Sequence, residues 1–91
     1  MTTIHKFPIT DATSIIPLPA DAKVLTVQVQ HGEPQMWVML DTDAPRVPRE
    51  FVTVGTGWEL SGPEHPSNWR YVATFQVQQG LLVFHVFEVT P

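Results

Sequence analysis

The sequence predicts an all-β protein: a single domain, residues 1–91, folded as a small antiparallel β-sandwich or barrel of six to seven strands. Three observations predict it. Nine prolines are spread along the chain, at positions 8, 17, 19, 34, 45, 48, 63, 66 and 91, and each would break a helix interior at a cost of about 3 kcal/mol. The proline-free stretches Ala20–Glu33 and Ser67–Thr90 both read as strand, because they alternate with period 2. Turn formers separate most of the alternating runs.

Thr3–Ile9 is expected as an edge strand, since Pro8 at its end cannot donate to a ladder. Ser14–Leu18 reads as a short strand interrupted by Pro17. Val24–Gln30 alternates, with Leu25, Val27 and Val29 on one face and Thr26, Gln28 and Gln30 on the other. His31-Gly32-Glu33-Pro34 then reads as a turn in which Gly32 supplies positive φ. Gln35–Asp41 returns, with Met36, Val38 and Leu40 alternating against Trp37 and Met39, so the two runs form a hairpin. A loop covers Asp41–Pro48, and Arg49–Val54 is the next strand, closed by Gly55-Thr56-Gly57. Residues 58–68 hold Gly, Pro, Ser and Asn with little periodicity and form the longest loop. Trp69–Gln78 alternates again, with Tyr71, Ala73, Phe75 and Val77 on one face and Arg70, Thr74, Gln76 and Gln78 on the other. Gln79-Gly80 is a tight turn, and Leu81–Val89 is the last strand.

The last strand is apolar on both sides. Leu81, Val83, His85, Phe87 and Val89 share one face, and Leu82, Phe84, Val86 and Glu88 share the other. An antiparallel strand with one face in water alternates more cleanly. Its outer face is therefore covered within the chain or by another subunit, with Leu81, Val83, Phe87 and Val89 as interface candidates. Only 15% of the residues are charged. So few charges on a small domain point the same way, to surface buried by a partner, a second copy or another protein.

Nine Asp and Glu against five Lys and Arg give a net charge of −4, which argues against a nucleic-acid partner. There is no cysteine, which excludes disulfides, thiolate metal sites and cysteine catalysis. No apolar run approaches the roughly 20 residues of a membrane-spanning helix. Met1–Thr10 has no charged start followed by an apolar stretch, so no signal peptide is expected and a cytoplasmic location follows.

Gly55-Thr56-Gly57 before Trp58 has two readings. Successive inward amides could form a nest for a small anion, with Arg49 and Arg70 as phosphate partners and Trp58 stacking on a base. The simpler reading is a strand exit that needs positive φ. Trp58 and Trp69 either wall a pocket under the long loop or anchor that loop on the sheet. The histidines at 5, 31, 65 and 85 lack metal-ligand spacing, although His5 and His85 would meet if the terminal strands paired. Asp41-Thr42-Asp43 resembles a calcium loop only at its start and reads as an Asx-turn. Ser14, Ser61 and Ser67 lie in no nucleophile elbow. No catalytic residue, metal or cofactor is expected.

The pattern of Ile4-His5-Lys6-Phe7-Pro8-Ile9, Leu18-Pro19-Ala20-Asp21, Met36-Trp37-Val38-Met39-Leu40-Asp41, Phe51-Val52-Thr53-Val54-Gly55-Thr56-Gly57 and Phe84-His85-Val86-Phe87-Glu88 resembles a family of small phage, prophage and actinobacterial proteins of unknown function. The resemblance spans nearly the whole chain. It implies a phage-associated origin and a β-rich fold, and it carries over no catalytic residues. The expectation is a non-enzymatic accessory protein that binds protein and self-associates. The alternative is a binder of a small anion, such as a nucleotide signal used in antiviral defence, in a pocket between subunits.

Overall fold

A computed structural model describes residues 1–60 and 66–90. The domain is a β-sandwich of two antiparallel sheets. The three-stranded sheet has the order β1 (Thr2–Pro8), β4 (Glu33–Asp41), β3 (Lys23–Gln30). The four-stranded sheet has the order β2 (Thr13–Pro19), β5 (Arg46–Gly55), β7 (Leu82–Val89), β6 (Trp69–Val77). Extents of 40 × 33 × 16 Å fit two layers, since packed sheets lie about 10 Å apart. Along one side β3 runs beside β6, so the layers approach closely there.

The core fills the gap between the layers. Met36, Val38 and Leu40 of β4 meet Val27 of β3 and Phe51, Val86 and Phe75 of the other sheet. Leu18, Met36 and Val38 have no exposed surface at all. The predicted hairpin of β3 and β4 forms, and His31 and Gly32 alone make its turn, at φ 54° and 81°. Two successive positive φ angles define the two-residue turn that matches strand twist. Glu33 and Pro34, expected in the turn, already pair with Gln30 and Val29.

The prolines sit where a ladder tolerates them. β1 is an edge strand, as Pro8 predicts. Ile9, expected as its last residue, instead leaves the ladder and is buried where the chain crosses to the other sheet. β2 is also an edge, and it runs unbroken through Pro17, which pairs with Pro48 of β5. The β5–β7 ladder begins only at Glu50, so Pro48 is not asked to donate to β7.

Two face assignments need correction. Leu25 points out and is 47% exposed, whereas Val24 packs on the core. Tyr71 points out and is 59% exposed, whereas Val72 packs on the core. In both cases the register shifts by one residue, between Val24 and Thr26 in β3 and between Tyr71 and Ala73 in β6. A β-bulge inserts one extra residue and reverses the side to which everything before it points.

Candidate interaction face

The outer face of the four-stranded sheet is the best-defined surface of the molecule. Val86, Phe84 and Glu88 of β7 face the core, so Phe87, His85 and Val89 face out. Register places Val52 of β5 beside Phe87 and Val54 beside His85. On the other flank Tyr71 of β6 lies beside Phe87, and Trp69 beside Val89. The Phe87 ring is held between Trp69, at 5.6 Å, and Tyr71, at 5.8 Å and steeply tilted. Val52 is only 5% exposed yet belongs to no part of the inter-sheet core. It is buried on the outside of the sheet, under its neighbours' side chains.

This explains why β7 is apolar on both sides. Its inner face meets the core, and its outer face lies under a local aromatic cluster that the same chain supplies. Val83, Phe87 and Val89 are half-buried there, whereas Leu81 lies in the turn before β7 and is 80% exposed. Ile15 and Tyr71 remain 65% and 59% exposed at the two flanks of the face.

A polar chain crosses the same face. The Tyr71 hydroxyl lies 2.8 Å from Thr74 Oγ1, which lies 2.9 Å from His85 Nδ1. His85 Nε2 lies 2.7 Å from Thr56 Oγ1, and that hydroxyl reaches the Val83 carbonyl at 3.4 Å. Hydroxyl groups on both ring nitrogens hold His85 in one orientation on this face.

The Gly55-Thr56-Gly57 segment is a turn, and the Thr56 and Trp58 amides are already used. Trp58 N–H donates to Gly55 O at 3.2 Å, and Thr56 N–H donates to Val83 O at 3.1 Å. Two donors that an anion nest would need are thus spent within the chain. Gly57 has φ 86°, the strand-exit conformation. Gly55 is required for a different reason: a Cβ there would stand 2.6 Å from the indole of Trp58. Trp58 rests on the bare backbone of Gly55, edge-on to Phe84.

At the opposite end of β5 lies a buried ion cluster. The Glu88 carboxylate accepts from Arg49 Nε at 2.6 Å, from a second Arg49 nitrogen at 2.8 Å, and from Arg70 at 2.8 Å. Arg49 also donates to the carbonyls of Pro19 and Ala22, tying β5 to the β2–β3 connection. The Glu88 and Arg49 side chains are 8% and 10% exposed, and Arg70 is 66% exposed. Burial alone would raise the Glu88 carboxyl, but the hydrogen bonds and charges of Arg49 and Arg70 outweigh it and hold the group below its ordinary value. Glu88 in turn raises Arg49.

A family profile, that of a domain of unknown function (DUF7352), matches residues 1–91. The chain belongs to the DUF7352 family. No curated protein and no solved structure matches it.

This DUF7352 domain does not gather the six predicted ligand residues into one place. Arg49 and Arg70 meet on Glu88, whereas Gly55, Thr56, Gly57 and Trp58 lie at the far end of β5, about 20 Å away at 3.3 Å per strand residue. His5 and His85 do not meet either, because β1 pairs with β4 and β7 with β5 and β6. Among the described residues no group of three His, Asp or Glu could hold a metal. Asp43 N–H donates to Asp41 Oδ1 at 3.0 Å, which is the expected Asx-turn. Ser61, His65 and the middle of the long loop lie outside the described residues. The part played by Glu88 was not predicted, although its signal was present: an acid on the same strand face as Phe84 and Val86 needs a buried partner.

Proposed function

We propose that this domain is a non-catalytic accessory module that binds protein, a second copy of itself included, through the outer face of its four-stranded sheet. One observation carries the reading. Ile15 and Tyr71, exposed at 65% and 59%, flank a face on which Val52, Phe87 and Val89 are already packed and apolar. Tyr and Trp beside an apolar centre are what protein interfaces are enriched in. A body 40 × 33 × 16 Å also has a broad side large enough for the roughly 800 Å² per partner of a standard interface. The resemblance of Ile4–Ile9 and Phe84–Glu88 to phage proteins supports a phage-associated origin, action in the host cytoplasm, and a role such as countering host defence.

Sedimentation velocity over a concentration series tests this reading on wild type, Ile15→Lys and Tyr71→Glu, with circular dichroism to verify the fold. Wild type is expected to associate, and each substitution to shift the mass towards monomer. Equal masses for three folded proteins would sink it.

A second reading, a small anion held between subunits, is favoured by Arg70. Its guanidinium, largely exposed although it donates to Glu88, lines a cleft of about 520 Å³ whose other charged residues, among those described, are Arg49, Glu50 and Glu88.

A further inference from the structure

The end of the sandwich nearest Trp58 carries a shallow, open hollow of about 270 Å³, lined by the β1–β2 crossing and by residues of both sheets. It opens where the chain crosses from β1 to β2. There Ile9 N–H is tied to the Pro34 carbonyl and Thr53 N–H to the Ala12 carbonyl, which fixes the crossing to the ends of both sheets. Its walls are apolar. Trp58 stands edge-on to Phe84 at 6.2 Å and 85°, and Phe84 packs on Phe75 at 5.6 Å. Ile9 and Val77 complete the apolar lining. Among the described lining residues Asp11 alone is charged. Its carboxylate accepts a long hydrogen bond, 3.3 Å, from the neighbouring Thr10 hydroxyl and forms no ion pair among the described residues.

Trp58 is fixed in this position by the sequence. The missing side chain of Gly55 lets the indole lie on the strand end, where a Cβ would collide at 2.6 Å. Yet Trp58 remains 57% exposed, so burial is not what holds such a large ring at the rim. An exposed indole at the rim of an apolar hollow, with one carboxylate at the edge that has no ion-pair partner among the described residues, has the chemistry that takes up amphiphilic organic cations: the rings take the apolar body, and the carboxylate fixes the sign of the charge.

We propose that this hollow binds a small organic ammonium compound, its compact apolar body against Trp58 and Phe84 and its charged nitrogen towards Asp11. The volume sets the size. It falls just under the roughly 300–1,000 Å³ of sites for drug-sized ligands, so a single ring with a short amine arm suits it. The site is separate from the outer sheet face and does not depend on how that face is used.

The test is an NMR titration of the ¹⁵N-labelled full chain with three matched probes: 2-phenylethylammonium, 2-phenylethanol and phenylacetate. The ammonium should produce saturable shifts at the Trp58 indole N–H and at the Asp11, Thr53 and Val77 amides, with a Kd of about 1 mM or tighter. The alcohol should bind about threefold more weakly, the share an exposed charge pair contributes, and the carboxylate more weakly again. Asp11→Asn, a change at an exposed position, should make ammonium and alcohol equal. Absence of saturation, shifts confined to another part of the fold, or phenylacetate binding as well as the ammonium would each overturn the proposal.

Discussion

Glu88 is the residue on which the most rests. A buried carboxylate is stable only with its charge matched, and here two guanidiniums from different strands converge on it. Removing the charge while keeping the shape, as in Glu88→Gln, leaves Arg49 buried without a counterion. The expected loss is about 3 kcal/mol of folding stability in urea unfolding at neutral pH. Arg70→Ala should cost less than about 1 kcal/mol, because that partner is 66% exposed. The pH dependence follows from the lowered carboxyl. A group whose pKa falls on folding stabilises above its unfolded value, ordinarily 4.5, and loses that contribution as pH drops through the folded value. The gap between wild type and Glu88→Gln should therefore be full at pH 7 and shrink below about pH 4.5. A gap that stays constant with pH would show that ionisation of Glu88 is not what stabilises the fold. The placement of Glu88 on an apolar strand face could be read from alternation. Its buried partner could not, because Arg49 reaches it from β5, 39 residues away in the chain, whereas Arg70 faces it across the β6–β7 hairpin.

At the scale of the strand, alternation located all seven strands. It mis-assigned faces at the two bulges and missed some ends, since β5 begins at Arg46 inside the expected Asp41–Pro48 loop and β4 begins at Glu33 inside the expected turn. Met36, Val38 and Leu40 were legible because β4 is regular and pairs on both sides. Leu25 and Tyr71 were not, because a single inserted residue in β3 and in β6 inverts the pattern without changing composition. Both bulges fall where β3 runs beside β6, the side on which the two layers approach. Bulges there add twist and turn Leu25 and Tyr71 outward. Pro17 misled in the opposite sense: it reads as an interruption, but an edge strand tolerates a missing donor on its open side. The β3–β4 turn allows a clean measurement of backbone cost. Gly32 has φ 81°, and a Cβ there would meet nothing within 4 Å. Gly32→Ala therefore introduces no clash, and its cost is the left-handed conformation alone, about 1–2 kcal/mol. Thermal unfolding should show a lower Tm with an unchanged fold. An unaltered Tm would mean that the turn relaxes to another type.

Over the whole molecule, the pairing of strands is the property least visible in the sequence. Of the sequential neighbours only β3–β4 and β6–β7 are hairpins. The remaining ladders join β1 to β4, β2 to β5 and β5 to β7, so that Thr2 meets Asp41, Thr13 meets Val52 and Glu50 meets Val89. Alternation marks which side of a strand is buried but carries no address for its partner, which is why sandwich and barrel read alike until the sheets are seen. The same topology sets the folding rate. Each long-range ladder requires a large loop to close before its contacts form, and that entropy is lost ahead of any gain. The two hairpins should form early, but neither sheet is complete until β1 and β2 dock on strands far along the chain. Refolding followed by tryptophan fluorescence in a stopped-flow instrument should accordingly fall in the range of milliseconds to seconds, as in other sandwiches of non-local pairing. Substitutions in the β1–β4 ladder, such as Phe7→Ala, should chiefly speed unfolding if β1 docks after the transition state. Microsecond refolding, or Phe7→Ala acting wholly on the refolding limb, would instead place β1 in the nucleus and make the first strand, not the hairpins, the organiser of the fold.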